Sequence, residues 1–259
     1  DYRGFIEWLR DMDKLVSHLG LRRIPHFTTL QKFADRVSRT IIQKIICCFI
    51  LVTRVRKLVL GIDSTGFRLD SGSYYYVIRI RRYHGRCRTK RKRYLKTTLG
   101  VETRKQLVIS YKNRRGPAHD NIDFPIVARR AAETKPIRLC VADKGYDSEE
   151  NHVLIRDELG GYSIIPPREY DDVPIWRTMG KYRKQIKREG YSEKMYHQRS
   201  LIETVNSVIK RTMGDTIYSR VVRLQNREIE FRFIAYNTHR LIIFLVVLRV
   251  STEHEKHKK

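Results

Sequence analysis

Along residues 1–57 apolar positions recur every three or four residues, the spacing of helices with one buried face. The stretch GFIEWLRDMDKLVSHLGL is expected as one helix ending near Gly20. PHFTTLQKFADRVSRTI is expected as a second, starting after Pro25 with Thr28 or Thr29 as its cap, and a third helical stretch continues to about residue 57. This region is compatible with a helix-turn-helix and equally with a plain helical packing module. The texture then changes. KLVLGID at 57–63 is a short apolar run rich in branched residues, the mark of a buried strand ending at Asp63. YLKTTLGVE at 94–102 and QLVISYK at 106–112 read as two antiparallel strands joined around Thr103 and Arg104. Residues 120–133 read as helix, PIRLCVAD at 136–143 as a buried strand ending in Asp143, SEENHVLIRDEL at 148–159 as helix, and GYSIIPP at 161–167 as a short strand. Helices follow at 192–213 and 227–248, the latter long and buried.

The helix at 192–213 starts at Ser192, a good N-cap, and stops at Gly214. At about 100° per residue, Tyr196, Arg199, Glu203 and Lys210 fall in one stripe roughly 60° wide and about 20 Å long. Leu201, Ile202, Val205, Val208 and Ile209 occupy the opposite side, so the polar stripe is expected to look outward. Taken alone, the stripe is equally a solvated face carrying an Arg/Glu pair four residues apart. The whole order of elements predicts an α/β protein: a mixed sheet with helices on both faces, in the element order of the ribonuclease H-like fold.

Composition adds the partner. The chain of 259 residues carries 54 Lys and Arg against 28 Asp and Glu, a net charge of +26. That excess implies a polyanion, with nucleic acid first. The apolar runs at 41–52 and 241–248 are too short or too interrupted to span a bilayer and read as core helices, so no membrane role is expected. Cys47, Cys48, Cys87 and Cys140 show no zinc-binding spacing and no disulfide framework, as suits a reducing cytoplasm.

Two strand ends carry the candidate chemistry. LVLGIDSTGF and LCVADKGYDS place Asp63 and Asp143 beyond buried strands, where the reactive groups of α/β sheets gather. A carboxylate there costs stability unless it is paired or binds a metal. With Glu203 they make three hard oxygen donors, suited to two Mg²⁺ or Mn²⁺ ions acting on a phosphodiester.

GIDSTGF at 61–67, ADKGYDS at 142–148 and the helix carrying Tyr196, Arg199, Glu203 and Lys210 together resemble the DDE transposases of bacterial and archaeal insertion sequences. The last segment matches that group's Y-x2-R-x3-E-x6-K signature without a spacing change, and the similarity runs from about residue 25 to about 245. The resemblance implies a ribonuclease H-like catalytic domain over 57–250, preceded by a helical region at 1–56 and followed by a charged tail at 251–259. It implies an N-terminal end-binding domain, part of which would precede Asp1. It implies a catalytic, metal-binding triad of Asp63, Asp143 and Glu203, with Tyr196, Arg199 and Lys210 on the DNA. His119 and Asp120 would support the site, since many relatives carry a His-Asp step there. The implied partners are double-stranded DNA, as transposon ends and as target, and a second copy of the chain on DNA, in a prokaryotic cytoplasm close to the nucleoid. Some relatives insert a long β-rich segment before the glutamate; here the interval is too short for one, and 168–191 is expected to be basic and irregular or helical. A non-catalytic DNA-binding derivative of a transposase, or another nuclease of this fold such as a resolvase, stays open as an alternative.

RIRRYHGRCRTKRKR at 79–93 contains Arg81, Arg82, Arg88, Lys90, Arg91, Lys92 and Arg93, a density of like charge that repels itself without a polyanion. KYRKQIKR at 181–188, with Lys184 and Lys187, has the same character. Asp123 and Asp147 are expected at caps or on the surface. If 79–93 tracks phosphates, neutralising four of its cations should weaken binding to duplexes of any sequence. It should also flatten the salt dependence of binding by roughly 0.9 per lost contact. An unchanged slope in a fluorescence titration would reject this segment as a contact surface.

Overall fold

A computed structural model describes residues 2–70, 94–116, 118–168 and 174–256, with side chains as far as residue 246. Helices α1 (Tyr2–Arg10), α2 (Asp13–His18), α3 (Phe27–Arg36) and α4 (Arg39–Leu51) come first. The single helix expected before Gly20 is thus two, broken at residues 11–12. The cap of α3 is His26, whose ring nitrogen accepts from the Thr28 amide, and not Thr28 or Thr29. Ser38 caps α4 in the ordinary way, by accepting from Ile41 N.

The sheet contains β1 (Leu58–Leu69), β2 (Tyr94–Glu102), β3 (Leu107–Arg115), β4 (Ile137–Ala142), β5 (Tyr162–Ile164) and the two-residue β6 (Thr216–Ile217). Its order is β3-β2-β1-β4-β5, with β6 paired to the far end of β1. β1, β2 and β3 are antiparallel neighbours; β4 and β5 continue the sheet in parallel. After β3 come α5 (Phe124–Ala132) and, after β4, α6 (Glu149–Val153), which runs on as a π-helical turn at Leu154–Glu158. The chain closes with α7 (Lys181–Glu189), α8 (Glu193–Tyr196), α9 (Ser200–Met213) and α10 (Val222–Lys256). This six-stranded mixed sheet with flanking helices and a helical N-terminal region is a ribonuclease H-like α/β fold.

Strand alternation sorts the core into two faces. Leu58, Leu60 and Ile62 of β1 point toward α5 and its Phe124, Val127 and Ala131. On the other face Phe67, Leu99 and Val101 meet Ile202, Val205 and Ile209 of α9 and Phe233 of α10. Near the parallel half, Val59, Leu139 and Val141 pack with Met195 and Tyr196 of α8. α10 is tied to β3 by Asn237, whose side chain accepts from Val108 N and donates to Val108 O.

Three expectations need correction. The long last helix is not buried throughout: Ile242, Ile243, Leu245 and Val246 are exposed. The helix leaves the sheet at the β2–β3 turn, where Arg240 reaches Lys105 O and the Lys105 ammonium covers Phe244. Asp123 does stand at the N-cap position of α5, but its side chain caps nothing: it is fully buried, its carboxylate held by Arg114 Nε and Nη2. Asp147 is buried too, against Arg183. Among the described residues Cys47, Cys48 and Cys140 are free thiols, and no helix is long and apolar enough to cross a membrane.

His152 of α6 is fully buried, with Nδ1 2.8 Å from Ser163 Oγ on β5. Burial, helped by the Arg156 charge, pushes its pKa from 6.5 down to about 4. A depressed pKa means that the native state stays neutral while the unfolded chain takes up a proton. The stabilisation is therefore present above pH 6.5 and is lost as pH falls toward about 4. Thermal or urea melts across that window should show His152→Gln less acid-sensitive than the parent, by at most about 1.4 kcal/mol per pH unit. Parallel curves would show that His152 is not the titrating group.

Candidate active site

The two aspartates meet because of one register. β1 and β4 run parallel, and their last pair is Ile62 with Ala142. Asp63 and Asp143 are the next residue on each strand. Both continue the face that carries Val59 and Gly61 on β1 and Leu139 and Val141 on β4, the face toward α8 and α9. Asp63 does not end its strand, as the sequence suggested: β1 continues to Leu69 because β2 pairs with it through Arg68. Asp143 does end β4, and its carboxylate accepts from Lys144 N at 2.8 Å, capping the 3-10 turn Lys144–Tyr146.

Glu203 arrives from α9. The expected continuous helix from Ser192 is in fact α8, a 3-10 turn at His197–Arg199, and α9. Ser192 does cap its start, accepting from Met195 N, and Gly214 ends it at a φ of 85°. The polar stripe faces the strand ends, and bulk water takes only part of it. Arg199 Nη1 is 2.8 Å from Glu203 Oε1 and 3.8 Å from Asp143 Oδ2. The Arg199 side chain is 26% exposed, so this is no solvated pair.

α9 reaches the sheet closely because position 61 is glycine. A methyl group built there would run into the Ile202 side chain, one residue before Glu203, and stand 3.1 Å from Thr103 Cγ2. Asn206, one turn after Glu203, donates to Asp63 Oδ2 at 3.1 Å. The sequence reading missed Asn206, although its offset of three from Glu203 puts it on the same side of the helix. It also missed the hydroxyl chain beneath Asp63, in which Ser64 Oγ lies 2.7 Å from both Thr98 Oγ1 and Tyr146 Oη.

The electrostatics agree with the geometry. Burial raises the Asp63 pKa above its ordinary value; the Ser64 amide and Arg199 pull it back, while Glu203 and Asp143 push it further up. Burial draws the Arg199 guanidinium down, and Asp143, Tyr196, Glu203 and Asp63 more than offset this, so it ends above its usual range. Tyr196 packs its ring against Tyr191 and lies beneath Arg199.

The other named positions divide. Lys210 lies two turns along α9, its ammonium 5.4 Å from the Phe67 ring centre. Asp120 pairs with Lys96 and lies beside Gly145 in the turn after Asp143, whereas His119 is exposed and caps nothing. Lys184 and Lys187 are half-buried on α7, which packs on α6. Arg81, Arg82, Arg88, Lys90, Arg91, Lys92 and Arg93 lie outside the described residues. Among the described residues no three His, Cys, Asp or Glu side chains are gathered tightly enough to ligate one ion. The donors nonetheless suit a hard divalent cation, since all are carboxylate oxygens, and the place between two of them already holds a positive group, Arg199.

Residues 55–238 match a family model described as transposase DDE domain. No curated protein matches the chain.

The close approach of α9 can be tested apart from chemistry. Gly61→Ala should lower stability by roughly 1–3 kcal/mol in urea denaturation, the usual cost of overpacking. Ile202→Val, which removes the terminal methyl of the clashing side chain, should restore much of that loss. Additive effects of the two changes would mean that the helix does not rest on the glycine.

Proposed function

The chain belongs to the transposase DDE domain family, and from that premise we propose that it cleaves DNA at transposon ends and joins the freed ends to target DNA, with Asp63, Asp143 and Glu203 as its catalytic carboxylates. The observation that carries this reading is the convergence of carboxylates from β1, β4 and α9 on a single cationic group, Arg199. An isolated surface Glu would have no reason to share a guanidinium with a strand-end Asp.

Asp63, Asp143 and Glu203 would hold Mg²⁺ or Mn²⁺. Bound there, these ions would activate a water or a 3′-hydroxyl and stabilise charge on the leaving oxygen of the phosphodiester. The chain's own residues set the stage. Asn206 fixes the Asp63 carboxylate through Oδ2, and the Lys144 amide fixes Asp143 through Oδ1. Buried apolar contacts of Ile202 and Val205 hold α9, and with it Glu203, against the sheet. Tyr196, Arg199 and Lys210 offer an aromatic ring and two cations along the same helical stretch, suited to a DNA backbone passing the site. The net charge of +26 would draw in and hold the duplex, with residues 79–93 and Lys184 and Lys187 as further contacts. Two transposon ends must be held together for joining, so the working unit would be a homodimer on DNA.

Glu203→Gln keeps the length and the helix but removes the charge. Cleavage of an inverted-repeat end with Mg²⁺ should fall by several orders of magnitude, while metal-free DNA affinity should hold or rise. Asp63→Asn and Asp143→Asn should behave alike, and pairs of these changes should be far from additive, because the three act as a unit. Cleavage within about tenfold of the parent in purified Glu203→Gln would sink the assignment. A surface ion pair alone is worth under about 1 kcal/mol and would leave the rate near normal.

A further inference from the structure

Arg199 occupies a position that conflicts with a simple DNA contact. Its guanidinium does not project into solvent. It lies 2.8 Å from Glu203 and 3.8 Å from Asp143 and is less exposed than either: 26% against 54% and 48%. Its field also reaches Asp63. The 3-10 turn at His197–Arg199 and the Tyr196 ring hold it on the inner side of the helix. Three carboxylates, one within β1, one just after β4 and one on the first turn of α9, repel one another, and in a partly buried site that repulsion is poorly screened. One cation among them relieves it. Arg199 engages Glu203 Oε1 and Asp143 Oδ2, on two of the carboxylates that would hold a divalent ion. Two cations beside the same carboxylates repel each other, so the guanidinium and a metal ion compete for them.

We propose that Arg199 is a built-in counter-cation. It neutralises Glu203 and Asp143 in the metal-free protein, gives them up when a divalent cation takes them, and turns to a phosphate of bound DNA. The inference rests on the metal-site reading above. It makes the two readings of Arg199, carboxylate partner and phosphate contact, successive states of one side chain. Linkage then requires reciprocity: if metal frees Arg199 for DNA, metal tightens DNA binding and DNA tightens metal binding by the same factor.

The test uses the full chain and two binding measurements, neither of them activity. In calorimetric titration with Mn²⁺ and no DNA, Arg199→Ala and Arg199→Gln should bind the ion about tenfold more tightly than the parent, a coupling of ordinary size. Arg199→Lys, which keeps the charge, should stay close to the parent. In fluorescence anisotropy with a generic duplex at matched ionic strength, Mn²⁺ should tighten binding to the parent by a clearly larger factor than to Arg199→Ala. The two neutral variants check each other, and circular dichroism establishes that each is folded. Metal affinity in both neutral variants equal to or weaker than that of the parent overturns the proposal while leaving the metal site intact. Mn²⁺ binding that is the same in the parent and in Glu203→Gln sinks the metal-site reading itself.

Discussion

The parallel pairing of β1 with β4 is the constraint on which the rest depends. Its last rung, Ile62 against Ala142, leaves Asp63 and Asp143 side by side on the same face. A slip of one residue would turn one carboxylate to the α5 side and separate the pair. Everything that fixes this register therefore also fixes the site. Leu58, Leu60 and Ile62 bury one face against α5, and Gly61 lets α9 close over the other. β1 is long because it serves three partners: it pairs in parallel with β4 along its first half, antiparallel with β2 along most of its length, and in parallel with β6 at its far end.

The fold carries the site at a cost to itself. Burial of Asp63 works against its charge, and Asp143 and Glu203 add to that opposition. What offsets it is local and specific: the Ser64 amide, the Asn206 side chain and the Arg199 guanidinium. Polar groups elsewhere in the core are paired in a more ordinary way, Asp123 with Arg114 and Glu230 with Arg39 and Arg227. Those pairs join elements of the scaffold. The carboxylates around Arg199 instead gather at a rim that remains open, since Glu203 and Asp143 are each about half exposed.

Much of this was legible in the sequence because it depends on local pattern. Buried strands announced themselves as branched apolar runs, and Ser192 and Gly214 marked a helix by their own side-chain and backbone chemistry. The features that escaped depend on distant partners. Nothing within 58–69 says that β2 will extend β1 past Asp63. Asp123 reads as a cap until Arg114, nine residues earlier in sequence, is seen to enclose it, and Asp147 until Arg183, thirty-six residues later, does the same. β6 has two residues, too few to carry a period. LIIFLVVL is apolar enough for a core, but composition does not tell where a helix outruns the sheet beneath it. Of the candidate site, the carboxylates and Arg199 were readable from spacing. Asn206 and the hydroxyls of Ser64, Thr98 and Tyr146 were not, since such residues are as common on surfaces as in sites.

The Asp147 carboxylate binds two places far apart in sequence. Oδ2 accepts from the Arg168 amide at 3.0 Å and from Arg183 Nη2 at 2.7 Å, and Oδ1 accepts from Arg183 Nε at 2.7 Å. The Arg168 side chain returns to the carbonyls of Lys144 and Gly145, and Glu149 accepts from the first amides of α7. The stretch from 168 to 183 is thus pinned at both ends to the turn that follows Asp143. Sequence could be gained or lost between the pins without shifting the strand end or the helix that brings Glu203, because neither anchor depends on what lies between. The length of the protein can therefore change there while the candidate site stays where it is.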